Sequence, residues 1–341
     1  MSSIVFPAEW EPQTGVVISW PAESTDWRDQ LAEVEATYLA LAEIIIAHGH
    51  LYICCCDTQT QSHVQQLCNQ HGMPPKRYTL ITIPYNDTWT RDYGPISVRI
   101  DEQPTWLDFK YNAWGGKFAY QQDNRLTQSL YQQEFMTQKR YISCDDFVLE
   151  GGSIDSDGDG TLLTTSQCLL SPGRNPALSK QQIEEHLQTR LGIKRVLWLD
   201  HGHLIGDDTD GHIDTLARFC SADTIAYVAC TDPDDPHFLS LSAMAEQLGS
   251  FRQLNGKSYR LIPLPLPDPC FNGENRRLPA SYANFLIFNG AVLVPVYDVD
   301  SDSHALAQLQ KCFPAYTIIP VMCRALIEQQ GSLHCITMQL L

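Results

Sequence analysis

The sequence has few basic residues relative to acidic ones. Of its 341 residues, 23 are Lys or Arg and 40 are Asp or Glu, which gives a formal net charge of −17. Proteins that bind nucleic acid through its phosphates cluster Lys and Arg, so this composition argues against a nucleic-acid partner. It favours the attraction of cationic small molecules, although solubility alone is an alternative explanation of the acidity.

The sequence also lacks a long apolar run, a basic leader and any Cys-x-x-Cys pair. No stretch approaches the ~18 apolar residues that a membrane-spanning helix needs, so no membrane partner is expected. The start of the chain does not have the basic and apolar regions of a signal peptide. Its twelve cysteines are scattered, and we expect most of them to be reduced core residues. These features predict a cytoplasmic protein.

Apolar patterns alternate between strand and helix in the first part of the chain. Residues 15–20, 51–56 and 78–84 are short apolar runs typical of buried strands. Between them, residues 26–48 and 58–71 carry apolar side chains at helical spacing. This order predicts an α/β fold.

From residue 95 onward the pattern changes to hairpins. The predicted hairpins pair residues 95–100 with 105–111, 147–150 with 161–165, 216–220 with 224–229, and 285–288 with 291–296. Their turns recur roughly every 60 residues, which indicates a propeller or array of repeated units. Each of the last three hairpins is followed by a helical pattern and an apolar strand pattern, which predicts ββαβ-like repeats.

The two ends of the chain are expected to meet. The N-terminal strand and a strand at residues 331–340 would complete a fifth unit and close a ring around a central cleft. No low-complexity segment or linker interrupts the order, so we expect one closed domain over residues 1–341. An open doubly wound sheet is the alternative, but the hairpins favour mixed sheets.

Residues 207–214, Asp-Asp-Thr-Asp-Gly-His-Ile-Asp, place four carboxylates and one imidazole in eight positions. They lie between two apolar runs, at 195–200 and 215–220. If His212 and Asp214 are extended, their side chains point to one face, about 6.6 Å apart along the strand. That pair suits a proton shuttle beside an anionic seat for a cation. The alternative is an acidic surface turn.

In equivalent units, residues near the start of each hairpin should face the same axis. Those residues are Asp92 before the first hairpin, Glu150 in the second, His212 and Asp214 before the third, and Cys335 in the terminal strand. They would meet as a nucleophile, a base, an orienting carboxylate and two anionic anchors. Such a set fits covalent catalysis on a cation.

Eight short motifs are spread over nearly the whole chain. They are Pro-Ala-Glu-Trp-Glu-Pro at 7–12, Trp-Thr-Arg-Asp-Tyr-Gly-Pro at 89–95, Asn-Ala-Trp-Gly-Gly at 112–116, Glu-Gly-Gly at 150–152, Arg-Asn-Pro at 174–176, the acidic stretch that continues to 219, Ala-Asn-Phe at 283–285 and His-Cys at 334–335. Their order and spelling resemble the agmatine deiminase and bacterial peptidylarginine deiminase family, within the guanidine-modifying superfamily. The resemblance implies a five-unit α/β propeller, the pentein fold. Residues 331–335 and 338–341 depart from the usual family pattern.

The resemblance implies hydrolytic deimination of a small guanidine through a covalent thiouronium intermediate. Cys335 would attack the guanidinium carbon, while Asp92 and Asp214 would grip the cation through charge-assisted hydrogen bonds. The expected reaction converts agmatine and water into N-carbamoylputrescine and ammonia. Peptidylarginine or another guanidine is an alternative substrate, and a homodimer is one candidate oligomeric state.

Three further roles are implied by the same resemblance. His212 would protonate the departing ammonia and then activate water, and Glu150 would accept a hydrogen bond from His212 and orient it. Trp89 would cover the substrate stem. Without the resemblance, the ordinary interpretation is core packing for Cys335 and Trp89, and turn caps or salt bridges for the acids.

The reaction needs no metal or cofactor, because the guanidinium is itself an electrophilic cation. Residues 155–160 copy the first half of a calcium loop, but Ser166 occupies the twelfth position, so a hairpin turn is the preferred interpretation. His201 and His203 with the following acids are an alternative seat for a divalent metal. The alternative of another class is a non-catalytic acidic protein that binds polyamines or metal.

Overall fold

The computed structural model describes residues 3–133 and 140–341. The strands in chain order are β1 Ile4–Val5, β2 Gly15–Ser19, β3 His50–Cys55, β4 Tyr78–Thr82, β5 Ile96–Ile100, β6 Gln103–Lys110, β7 Arg140–Val148, β8 Ile154–Ser156, β9 Thr161–Thr165, β10 Arg195–Leu199, β11 Ala217–Ser221, β12 Thr224–Ala229, β13 Arg260–Pro265, β14 Leu286–Phe288, β15 Ala291–Val296, β16 Thr317–Met322 and β17 Met338–Leu340. The helices are α1 Leu31–His48, α2 Thr58–Gln70, α3 Thr90–Tyr93, α4 Ala113–Gly116, α5 Leu126–Tyr131, α6 Ser166–Leu169, α7 Lys180–Leu191, α8 Phe238–Ser250 and α9 Ser301–Cys312.

Three of the sheets repeat one ββαβ unit. In each, an antiparallel hairpin is followed by a helix and then by a strand parallel to the second hairpin strand. The units are β8, β9, α7 and β10; β11, β12, α8 and β13; and β14, β15, α9 and β16. The sheet β1-β5-β6-β7 contains the same hairpin and parallel strand, with β1 added at its edge.

The remaining sheet joins the two ends of the chain. The C-terminal strand β17 pairs antiparallel with β2, with Met338 opposite Val17, and β3 and β4 follow in parallel. The described residues therefore form five sheets, and the fold is a five-unit α/β propeller. The predicted pairing of the two chain ends is confirmed.

Local sequence explains several of these elements. In α1 the stripe Val34, Tyr38, Leu41 and Ile45 is fully buried, as its helical spacing predicts. The hairpin between β14 and β15 turns at Asn289 and Gly290, whose φ angles of 42° and 86° fit a tight two-residue turn.

Three expectations about local structure are wrong. Only Met338–Leu340 of residues 331–340 is a strand, and Cys335 lies in the turn before it. Residues 212–214 are not extended, because Ile213–Thr215 is a turn of 3-10 helix. The second hairpin begins at Ile154, while Phe147 and Val148 end β7 in the preceding sheet.

The same side-chain hydrogen bond is present in the three turns that begin at Glu150, His212 and His334. The hydroxyl of Ser153 donates to Glu150 O at 2.6 Å, that of Thr215 to His212 O at 2.9 Å, and that of Thr337 to His334 O at 3.0 Å. In each case the side chain gives the carbonyl three residues earlier a local partner in place of a neighbouring strand. Apolar patterning does not reveal such turns.

Two other predictions concern membrane-spanning helices and the state of the cysteines. Over residues 3–133 and 140–341, no helix has both the length and the apolar character required to cross a membrane. All twelve cysteines lie in these ranges as free thiols, and most are buried, as expected.

Candidate active site

The repeated units bring one polar residue each to the same region. Asp92 precedes β5, Glu150 precedes β8, Asp214 precedes β11, Asn284 precedes β14 and Cys335 precedes β17. The first four lie just before the first strand of a hairpin, Cys335 lies just before the strand that pairs antiparallel with β2, and all five are buried. The structure places Asp92, Glu150, Asp214 and Cys335 at equivalent positions, as the sequence suggested, and adds Asn284.

Asp92, His212 and Asp214 converge around Gly152. A methyl group built at Gly152 would lie 2.7 Å from Asp92 Oδ1 and from His212 Nδ1, and 3.1 Å from Asp214 Oδ2. The amide of Gly152 and the indole of Trp114 each donate to Asp92 at 3.0 Å, to Oδ1 and Oδ2 respectively. Both oxygens of Asp92 are thus held in fixed directions.

Cys335 lies beside Asp214 and Asn284. Its Sγ is 3.8 Å from Asp214 Oδ2, and the side-chain amide of Asn284 donates to Sγ at 3.2 Å. Asn284 Oδ1 also accepts from the backbone amide of His334 at 2.8 Å, so it fixes the turn that carries the thiol. Asn284 is not among the site residues predicted from the sequence. A polar residue within a run of buried apolar residues before β14 is the signal that could have found it.

His212 lies between Asp92 and Glu150 but bonds to neither. Its Nδ1 is 3.6 Å from Asp92 Oδ1 and its Nε2 is 3.9 Å from Glu150 Oε2, both longer than a hydrogen bond. Within the part of the chain that the structure describes, neither ring nitrogen has a hydrogen-bond partner. The predicted hydrogen bond from His212 to Glu150 is therefore not formed in this structure. Instead, Arg174 Nε donates to Glu150 Oε1 at 3.1 Å.

Asp214 belongs to a network of buried, charged side chains. His334 Nδ1 lies 2.8 Å from Asp214 Oδ2, and its Nε2 lies 3.0 Å from Glu9 Oε2, while Arg218 forms an ion pair with Glu9. Burial alone would raise the pKa of Asp214, but the hydrogen bond from His334 and nearby positive charge lower it below the ordinary value. Asp214 is thus an anion whose second oxygen, Oδ1, has no partner among the described residues.

The nucleophile candidate and the base candidate are both neutral without substrate. Burial, followed by the charges of Asp214 and Asp92, raises the pKa of the Cys335 thiol well above its ordinary value. Burial lowers the pKa of His212 to about 3. Burial, together with the negative charges of Asp214 and Glu150, also raises the pKa of Asp92. A cation bound among these groups would favour the thiolate, because it offsets the surrounding negative charge.

A cleft of about 420 Å³ leads from the surface to Cys335 and Asp92. Its walls are aromatic and include Trp89, Trp114 and Phe118. Trp89 packs against Trp27 at 5.7 Å between ring centroids and is nearly buried. The residue predicted to cover the substrate stem therefore lines the cleft and also belongs to the hydrophobic core.

Three carboxylates, Asp26, Asp87 and Asp208, also line this cleft. Burial, followed by the charges of Asp26 and Asp208, raises the pKa of Asp87 to about 6. Burial and the charge of Asp207 raise the pKa of Asp208 to about 6. We refer to Asp26, Asp87 and Asp208 as the acidic rim. None of the three was predicted as a site residue.

The two motifs that the sequence offered as metal sites, residues 155–160 and the pair His201 and His203, do not line this cleft. In the loop of residues 155–160, the side chain of Asp157 accepts from the amides of Asp159 and Thr161 at 2.9 and 2.8 Å. This confirms a hairpin turn between β8 and β9. His203 Nδ1 contacts Ser240 Oγ at 2.9 Å. Within the described ranges, His201 and His203 do not belong to a cluster of side chains close enough to hold a metal ion.

The profile of the Porphyromonas-type peptidyl-arginine deiminase family matches residues 5–340. This chain belongs to that family. The matched residues cover all five units of the propeller.

Individual relatives carry two kinds of name. A Vibrio parahaemolyticus protein provisionally named an agmatine deiminase is 37% identical, over 98% of this chain and 96% of its own. A crystal structure provisionally named a peptidyl-arginine deiminase is 40% identical and covers 100% of this chain and 99% of its own, with a TM-score of 0.94. A cysteine-to-serine variant of C. jejuni agmatine deiminase with substrate bound is 36% identical and covers 99% of this chain and 96% of its own, with a TM-score of 0.91.

Proposed function

We propose that this protein hydrolyses agmatine to N-carbamoylputrescine and ammonia through a covalent intermediate on Cys335. The convergence of an imidazole and two carboxylates around Gly152, with the Cys335 thiol 3.8 Å from one of those carboxylates, carries the proposal. The cleft supplies access for a small cation, and the relatives named agmatine deiminases support the substrate. We further propose a cytoplasmic location, which the free thiols support.

In the first half of the reaction, the substrate guanidinium binds between Asp92 and Asp214. Its positive charge lowers the pKa of the Cys335 thiol, whose proton passes to His212 as sulfur bonds to the guanidinium carbon. The protonated His212 then gives that proton to the leaving nitrogen. The carbon–nitrogen bond breaks, ammonia departs, and a thiouronium remains on Cys335.

In the second half, water replaces ammonia beside the thiouronium. His212, neutral again, takes a proton from the water as its oxygen bonds to the carbon. The carbon–sulfur bond then breaks, His212 returns its proton to Cys335, the remaining hydroxyl proton of the product passes to solvent, and the neutral ureido group leaves. Glu150 positions His212 in both halves, since its Oε2 is the nearest carboxylate oxygen to Nε2 that the described contacts show.

The acidic rim favours agmatine over other guanidines. Agmatine carries an ammonium group at the end of its chain, whereas free arginine adds a carboxylate and peptidyl arginine adds neutral amides. Negative charge from Asp26, Asp87 and Asp208 at the cleft attracts the ammonium and repels the carboxylate. A terminal cation is therefore the feature that the cleft fits best.

Substrate panels and the Asp87→Asn variant test this assignment. Ammonia release should be fastest with agmatine, slower with arginyl peptides and slowest with arginine. As pH falls through about 6, Asp87 and Asp208 gain protons, so the KM for agmatine should rise. Asp87→Asn should raise that KM several-fold at neutral pH and flatten its pH dependence, with little effect on kcat.

The exposed Asp234 provides a matched control, because Asp234→Asn removes the same charge outside the cleft. If both variants behave alike, the acidic rim does not select the substrate. If arginyl peptides react faster than agmatine, peptidylarginine deimination replaces the assignment. If no guanidine releases ammonia, the non-catalytic polyamine- or metal-binding protein becomes the better description.

A further inference from the structure

Cys168 is a second thiol near the catalytic groups, and the reaction does not use it. It lies in α6, is fully buried, and points its Sγ at Glu150 Oε2 from 4.0 Å. The same oxygen is 3.9 Å from His212 Nε2. One ligand atom from each of Cys168, His212 and Glu150 thus lies within 4.8 Å of the other two.

Among the three groups, the only hydrogen bond in the described ranges is a long one, from the Cys168 thiol to Glu150 Oε2 at 4.0 Å. His212 is fully buried, and neither of its ring nitrogens has a hydrogen-bond partner in the described ranges. Arg174 occupies Glu150 Oε1, which leaves Oε2 directed at Cys168 and His212. An unpaired imidazole, a thiol and a carboxylate oxygen therefore face one point in the interior.

We propose that Cys168, His212 and Glu150 form an inhibitory binding site for Zn²⁺. Thiolate, imidazole and carboxylate are the ligands that zinc takes in proteins, with bonds of about 2.0 to 2.3 Å. Tetrahedral coordination at those lengths needs ligand atoms ~3.5 Å apart. The two pairs that include Glu150 Oε2, at 3.9 and 4.0 Å, must therefore close by about half an ångström, and the Cys168–His212 pair lies within 4.8 Å. The proposal requires the Cys168 and His212 side chains to rotate toward Glu150 Oε2.

Zinc bound at this site inhibits the proposed deimination, because it coordinates the side chains that transfer the proton and orient the imidazole. The lone pair of His212 Nε2 and the oxygen of Glu150 nearest to it both become zinc ligands. Cys168 releases its thiol proton to solvent when the sulfur–zinc bond forms, and His212 binds as the neutral imidazole. The inhibitory effect rests on the proposed function, whereas zinc binding itself does not.

Activity assays separate this site from zinc bound at Cys335. Wild-type protein should lose agmatine hydrolysis on addition of Zn²⁺ and recover it with EDTA. Cys168→Ala should keep its basal activity and need more than about tenfold more zinc for the same inhibition. Cys54→Ala is the matched control, because Cys54 is an equally buried thiol in β3. Equal inhibition of all three proteins would overturn the proposal.

A binding measurement that needs no activity completes the test. In a Cys335→Ser background, titration of Zn²⁺ against a chromophoric chelator should show one site per chain, and adding Cys168→Ala should weaken it more than about tenfold. Absence of zinc binding, or binding that is unaffected by Cys168→Ala, would overturn the proposal. If the alanine variant does not fold, Cys168→Ser serves instead, since it preserves volume and replaces the soft ligand with a poor one.

Discussion

At the scale of single residues, the candidate site places a charged carboxylate beside groups that burial keeps neutral. Asp214 is held as an anion by His334, whereas burial and two neighbouring carboxylates favour the protonated form of Asp92. Burial also keeps His212 and Cys335 neutral. In the proposed reaction, a planar cation offsets the negative charge of these acidic groups, so substrate binding itself favours the thiolate of Cys335.

Glu150→Gln should reduce turnover more than binding. Glutamine removes the charge that faces His212 Nε2 but leaves Asp92 and Asp214 unchanged, so kcat should fall by about 10²- to 10³-fold. Calorimetry with agmatine in a Cys335→Ser background should show nearly unchanged affinity. Asp214→Asn is the contrasting variant, which should weaken binding strongly. Equal losses of binding and turnover in Glu150→Gln would contradict its positioning role.

At the scale of elements, the turns before the hairpins determine the site. The turn Gly151–Ser153 follows Glu150 and passes between Asp92, His212 and Asp214, where there is no space for a side chain. Gly152 also donates its amide to Asp92 at 3.0 Å. A glycine is needed here for close approach rather than for an unusual backbone angle.

Gly152→Ala should abolish most activity without unfolding the protein. Its methyl group would displace Asp92 and His212, and misplacement of reacting groups by about 1 Å can cost 10²-fold in rate. Gly249→Ala is the control, because a methyl group there meets no atom within 4 Å. Steady-state kinetics with circular dichroism would check both. Normal activity of Gly152→Ala would show that the three side chains do not act together.

The sequence predicts the elements better than the turns between them. Helical stripes such as that of α1 and the Asn289–Gly290 hairpin follow from local patterns, and the period of the hairpins reveals the five units. The turns at His212 and Cys335 are held by local hydrogen bonds of hydroxyl groups and backbone amides, which apolar patterning does not show, so the sequence predicts strands there. Asn284 and the acidic rim remained unassigned because their roles depend on contacts between residues far apart in the chain.

At the scale of the whole molecule, the closing sheet joins the start and the end of the chain. The turn that holds Cys335 leads directly into β17, which pairs with β2. Arg91 N donates to Cys335 O at 3.1 Å, so the next unit also supports this turn. Cys335 is therefore positioned only when the ring is closed, and we propose that the chain folds as a single domain.

Unfolding should occur in one cooperative transition. Far-ultraviolet circular dichroism and tryptophan fluorescence should give the same midpoint in denaturant, because the closing sheet joins the first and last parts of the chain. Gly15→Val should lower that midpoint, since the added Cβ would lie 2.7 Å from His50 O in the neighbouring strand. Gly273→Ala, where no atom lies within 4 Å, should not. Two separated transitions would contradict a single domain.

The measurement that tests the central claim most directly is mass spectrometry after labelling with a haloacetamidine. This reagent carries a planar cation that the carboxylates of Asp92 and Asp214 attract, so it should modify wild-type protein at Cys335 and leave the other eleven cysteines unlabelled. Cys335→Ser should remain unlabelled and lose turnover by at least about 10³-fold. An adduct at another cysteine, or near-normal ammonia release by Cys335→Ser, would contradict Cys335 as the nucleophile.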